Sequence, residues 1–135
     1  MSDMRQARKL WLAFADAGRG FCIAIRSERN LRIHLCVAAI VVVSGFVLDV
    51  SSLEWVALVF CIGLVITVEM LNSALEYLAD TVHPEMDAGI RNAKDVAAGA
   101  VLIAVLAAVV VGVIIFLPKL WEIAKQLESG TGSTS

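Results

Sequence analysis

Three apolar blocks constrain this chain more than anything else in it. They are "LRIHLCVAAIVVVSGFVL" (31–48), a run from about 53 to 78 that opens "LEWVALVFCIGLVIT", and "VAAGAVLIAVLAAVVVGVIIFL" (96–117). A hydrocarbon layer of roughly 30 Å takes about 20 helical residues, so the second and third blocks are comfortable spans and the first is marginal. A water-soluble fold would have to hide all three in one core, and at 59% hydrophobic the chain has too little polar surface left to cover it. The expected fold is an all-α membrane protein with three transmembrane helices, in one domain over residues 1–135.

Ahead of the first span, Met4 to Arg26 reads as an amphipathic helix. Leu10, Trp11, Phe14, Phe21, Cys22 and Ile25 recur at helical intervals, while Arg5, Arg8, Lys9, Asp16 and Arg19 take other faces. Such a helix suits the membrane interface. Gly18 and Gly20 weaken its middle, where a bend or break is expected. After the third span Pro118 marks an end, and the polar, Gly/Ser-rich "ESGTGSTS" carries no signal for order, so a flexible tail is expected from about 128 to 135. Cys22, Cys36 and Cys61 show no metal-ligand spacing and make no complete disulfide set; they read as small packing residues.

Basic residues orient the spans. Arg5, Arg8, Lys9, Arg19, Arg26, Arg29 and Arg32 precede or enter the first, "DVSSLEW" between the first two has none, and the segment between the second and third carries Arg91 and Lys94. The N-terminus is therefore expected in the cytoplasm and the C-terminus outside, with Lys119 and Lys125 a mild counter-signal.

The second span ends unlike a lipid-facing helix. In "VEMLNSALEYLAD", Glu69, Asn72, Glu76 and Asp80 are spaced three and four apart and so share one helix face. A carboxylate in hydrocarbon is costly and marks function by default. Glu69 lies roughly 16 Å along the helix from Asp80, inside the membrane but toward its cytoplasmic side. "RSERNLRIH" and "RNAKDVAAGA" bring Glu28, Arg29, Asn30 and Arg32, and then Asn92, Lys94 and Asp95, to the same level. Oxygen ligands such as Glu28 and Glu76 suit Mg²⁺, which keeps waters and bridges to phosphate. Lys94 and the arginines suit phosphate itself. The deeper Glu69 is placed to take a proton from a lipid hydroxyl. Together these describe phosphoryl transfer onto a membrane alcohol.

"SERNLRIH", "EMLNSALEYLAD" and "RNAKDVAAGAVLIA" resemble the signature segments of the bacterial integral-membrane diacylglycerol kinase and undecaprenol kinase family, over roughly Leu10 to Trp121. The resemblance implies Glu69 as catalytic base, Glu28 and Glu76 as holders of the divalent ions on ATP, and Asn72 as a polar residue of the active site. It implies ATP contacts from Glu28, Glu76, Glu85, Met86, Asp87, Lys94 and Asp95. The surface helix matches more loosely, leaving Arg19 and Arg32 as candidate lipid or nucleotide contacts. It further implies Mg²⁺ with ATP as co-substrate, a homotrimer with shared active sites, residence in the bacterial cytoplasmic membrane, and no nucleic-acid partner. The wording of "SERNLRIH" and "NAKDVAAGAVL" is closer to the undecaprenol kinase branch, so undecaprenol is the favoured acceptor and diacylglycerol the second.

Plainer readings exist for single residues. Glu76 can snorkel to the interface, Asn72 can serve helix–helix hydrogen bonding, and Asp95 can be the N-cap of the third helix. His34 reads as an interfacial packing or hydrogen-bonding residue. The alternative for the whole chain is a small proton-coupled transporter carrying its proton on Glu69; against it, the outer halves "WVALVFCIGL" and "VVVGVIIFL" are apolar throughout.

Overall fold

The computed structural model describes residues 2–82 and 87–131, and every regular element within them is an α-helix: α1 (Ser2–Ser27), α2 (Arg29–Val47), α3 (Ser52–Val82) and α4 (Ala88–Thr131). The last three are long and apolar enough to cross a membrane. At 19, 31 and 44 residues, they measure about 28, 46 and 66 Å.

Two expectations about helix ends are corrected. α1 runs unbroken through Gly18 and Gly20. Each glycine costs about 1 kcal/mol of helix propensity, which the alanines and long side chains around them outweigh. α4 does not stop at Pro118 but continues to Thr131, so the first residues of the expected tail are helical; residues 132–135 lie outside the described residues. Proline removes one intrahelical hydrogen bond, yet "KLWEIAKQLE" is rich in strong helix formers. Lys119 Nζ also lies 3.4 Å from Glu54 Oε2, tying the helix to α3 just past the proline. Further on, the Lys125 ammonium sits 5.5 Å over the Trp121 ring.

The α2–α3 connection is tight. Asp49 has φ of 47°, a left-handed conformation that Asp tolerates better than most residues. Leu48 N–H donates to Ser44 O, and Val50 N–H to Gly45 O, closing the end of α2. α3 then opens on a capping box: Ser51 N–H donates to Glu54 Oε2 at 2.6 Å, and Glu54 N–H to Ser51 Oγ at 3.4 Å. The Trp55 ring lies against Gly45, where a Cβ would come within 2.7 Å of it, and its centroid is 4.8 Å from that of Phe46.

α3 is the central element. It packs along α4, touches α2, and is met by α1, while the backbones of α2 and α4 do not approach each other among the described residues. Val50, Leu58 and Ile115 form a small buried cluster, with Val41, Trp55, Ala57, Val111 and Phe116 around it. Most other large apolar side chains of the spans are exposed on the single chain, as they are in a helix bundle whose solvent is lipid. α3 is the most buried of the three spans, and the polar stripe lies on it.

Candidate functional site

The stripe on α3 is buried where it is deepest. Glu69 is 2% exposed, Asn72 8% and Ser73 2%. Ser73 Oγ–H donates to the Glu69 carbonyl at 3.0 Å, and so needs no further partner. Asn72 Nδ2 donates to Glu76 Oε1 at 3.0 Å, which fixes the amide and leaves Asn72 Oδ1 buried with no hydrogen bond. Leaving such an acceptor unpaired costs roughly 1–3 kcal/mol, and the cost is recovered only when something with a proton to donate arrives. Glu76 itself is half-buried, at the edge of the same face.

Two further half-buried polar groups come from α2 and the residue before it. Glu28 is the single extended residue between α1 and α2, with φ −95° and ψ 115°, and its side chain makes no capping bond. The turn thus presents a half-buried carboxylate that the helix end does not consume. His34 comes from the second turn of α2 and is also half-buried. Sequence reading assembled Glu28, Glu69, Asn72 and Glu76; it did not bring His34 or Ser73 to them.

The remaining candidate residues sit elsewhere. Lys94 Nζ is paired with Asp80 Oδ1 at 2.5 Å, linking the start of α4 to the end of α3. Asp95 is exposed and lies two turns inside α4. It is not the helix cap: Ile90 N–H donates to Asp87 Oδ1 at 2.9 Å and Arg91 N–H to Asp87 O at 3.2 Å, so Asp87 opens the helix. Arg32 turns back to the end of α1, where its Nη1 donates to the carbonyls of Arg26 at 3.1 Å and Ile25 at 3.4 Å. These are carbonyls that the helix end leaves without intrahelical partners. Arg19 is exposed on α1 and paired with Asp16. Glu85 and Met86 lie outside the described residues.

The donor set fits a hydrated divalent cation. Among the described residues no three His, Cys, Asp or Glu side chains come close enough to hold a metal by themselves. Glu28 and Glu76 offer two hard carboxylates, and the unpaired Asn72 Oδ1 can accept from a water on the ion. One or two carboxylates with waters and phosphate oxygens is how Mg²⁺ is usually held.

Comparison with known proteins gives the family. The family model for prokaryotic diacylglycerol kinase matches residues 15–116. The undecaprenol kinase of Bacillus subtilis is 35% identical over 115 residues, covering 85% of this chain and 94% of that protein. The diacylglycerol kinase of Synechocystis is 37% identical over 115 residues, 84% of this chain and 66% of its own length. That of Escherichia coli is 35% identical over 92 residues, 68% of this chain and 75% of its own. Neither the family nor these relatives lend support to a transporter. The chain is a lipid kinase and belongs to the prokaryotic diacylglycerol kinase family.

Proposed function

We propose that this protein transfers the γ-phosphoryl group of ATP to the hydroxyl of a membrane lipid, with undecaprenol the favoured acceptor and diacylglycerol the second. The observation that carries the reading is the buried Glu69–Asn72–Glu76 face on a membrane-spanning helix, in a chain that aligns with 94% of an undecaprenol kinase. Glu69 is the base that takes the hydroxyl proton. Buried beside apolar span, it is reached by a lipid alcohol entering sideways more readily than by bulk water. Glu28 and Glu76 hold Mg²⁺ on the phosphates; the ion supplies charge neutralisation when bound. Asn72 orients Glu76 through its amide N–H. Lys94 and Asp95, with Glu85, Met86 and Asp87 in the α3–α4 connection, form the nucleotide side. Arg19 and Arg32 stand at the membrane surface as contacts for phosphate or headgroup.

The basic N-terminal region and the Arg91–Lys94 side of α4 face the cytoplasm, where ATP is available, and the C-terminus lies outside. α1 lies along the inner membrane surface. The broad exposed apolar faces of the spans leave room for a homotrimer in which Glu28 of one protomer serves Glu69 of another. The test offers undecaprenol and diacylglycerol separately, at equal mole fraction in mixed micelles with Mg-ATP, and follows radiolabelled phosphate into lipid. Preference for undecaprenol supports the reading in full, preference for diacylglycerol reverses the acceptor, and label in neither lipid from folded protein overturns it.

A further inference from the structure

α4 outruns the membrane. Its exposed large apolar side chains extend from Val96 to Leu127, about 46 Å along the axis. Hydrocarbon is roughly 30 Å deep, and a tilt of about 40° lengthens the path through it only to about 39 Å. The surplus lies past Lys119, which is paired with Glu54 in the first turn of α3 and so marks the membrane surface opposite the Glu69 face. From there to Thr131 the helix goes on for about 18 Å, beyond the family match, which ends at residue 116. At about 100° per residue, Leu117, Leu120, Trp121, Ile123, Ala124 and Leu127 form an exposed apolar arc nearly half the helix wide. Lys119, Glu122, Lys125, Gln126 and Ser129 take the other side; Glu128 alone interrupts the arc, in its last turn. The arc continues the outward face of the span, that of Val110, Val113 and Ile114. The polar side continues the face whose Val111 and Ile115 pack on the buried cluster with Leu58 of α3. So short a helix is marginal in water by itself, and the arc needs a cover.

We propose that residues 119–131 lie in the plane of the membrane surface, with α4 bending at Pro118 and the apolar arc sunk among the lipid headgroups and upper acyl chains. Proline has no N–H for the Ile114 carbonyl, and its ring crowds that oxygen, so helices bend at it, away from the ring. Pro118 stands on the polar side of the helix, which directs the bend away from α3. That direction suits both faces. A helix that leaves the bilayer and folds outward turns its lipid-facing side down onto the membrane and its α3 side up into water. Trp121 at the edge of the arc, with the Lys125 ammonium over its ring, suits the boundary between apolar and wet layers. Lys119 and Lys125 are balanced by Glu122 and Glu128, so apolar burial and not headgroup charge holds the segment, and neutral lipid suffices. A second copy of the helix is the weaker match. A coiled coil uses a narrow apolar seam edged by charges, whereas this arc spans about 160° with both lysines and Glu122 on the far side.

The experiment places a tryptophan on each side of the helix in the full chain, Leu127→Trp and Ser129→Trp, in phosphatidylcholine vesicles whose acyl chains carry bromine near the headgroup. The emission that each variant adds to that of the unaltered protein is followed. An in-plane helix buries its apolar face about 5–10 Å into the boundary of headgroups and acyl chains, so the added emission of Leu127→Trp should fall by about half or more, and that of Ser129→Trp by less than about a tenth. Equal, weak quenching at both positions overturns the proposal and leaves the helix standing clear of the membrane. Leu127→Trp emission untouched by lipid bromine and also shielded from aqueous iodide overturns it in favour of a second copy. In the unaltered protein, ¹³C-labelled at the leucine methyls, nitroxide-bearing lipid in nanodiscs should broaden the Leu127 resonance as strongly as that of Leu117. An unbroadened Leu127 resonance overturns the proposal even if both variants fail to fold. None of these readouts passes through phosphate transfer, so failure here leaves the kinase reading untouched.

Discussion

The Asn72 amide is held by Glu76, one helical turn further along α3, at 3.0 Å, and the same bond leaves its carbonyl oxygen buried and unpaired. The arrangement trades stability for readiness. The protein keeps a buried acceptor waiting one helical turn from buried Glu69 on α3. Asn72→Leu removes that unpaired group and keeps the branching and heavy-atom count of the side chain. Its thermal unfolding midpoint in detergent is expected to stay level or rise, while phosphate transfer falls at least tenfold. Stability and activity lost together would show Asn72 to be merely structural.

Glu69→Gln preserves shape and removes the base. A positioned general base contributes roughly 10²–10⁴ in rate. Transfer to lipid should fall by that range, with helicity and assembly size unaltered by circular dichroism and light scattering. A variant retaining more than a tenth of the rate would remove Glu69 from the proton path.

Glu28→Gln and Glu76→Gln test the cation. Each removes one hard anionic ligand of an ion expected to have only two from the protein. The free Mg²⁺ needed for half-maximal transfer should rise about tenfold or more in either variant, and chelation of Mg²⁺ should stop the unaltered enzyme. A rate loss with unchanged Mg²⁺ dependence would assign these residues to something other than metal binding.

Gly45→Ala addresses the fold apart from the chemistry. A methyl group there meets the Trp55 ring at 2.7 Å, closer than carbon atoms approach without displacement. Overpacking of this kind costs about 1–3 kcal/mol. The variant should melt lower in detergent, and Trp55→Leu added to it should recover part of the loss; activity per folded molecule should not change. Equal melting of Gly45→Ala and the unaltered protein would mean the ring moves aside freely.

Much of this was legible before any coordinates. Apolar runs of sufficient length marked the spans, and three-and-four spacing put Glu69, Asn72 and Glu76 on one face, because both follow from the geometry of a single helix. What escaped depends on how helices are rotated against each other. Nothing in "NLRIHLCV" says that His34 lines a cavity among α2, α3 and α4 rather than facing lipid. Asp80 and Lys94 are on different helices, and only the packing of α3 along α4 brings the charges together. Helix ends were misread where opposing signals were close in strength. Pro118 argued for a stop and the residues after it for continuation, and the tie to Glu54 favours the latter. Asp95 read as the cap, but the hydrogen bond from Ile90 N–H to Asp87 starts the helix two turns earlier.

The ion pairs Asp80–Lys94 and Glu54–Lys119 clamp α3 and α4 together at opposite ends. Their carboxylates are 26 residues apart on one helix and their ammonium groups 25 apart on the other, so both helices space their rungs about 38 Å along the axis. That is close to the thickness of a bilayer with its interfacial layers, roughly 40–45 Å. The pair therefore behaves as a gauge of fixed length: α4 cannot piston along α3 without breaking both rungs. A thinner bilayer is met by tilting the two helices as one body, and the tilt carries Glu69 and Lys94 together, keeping the depth of one matched to the other.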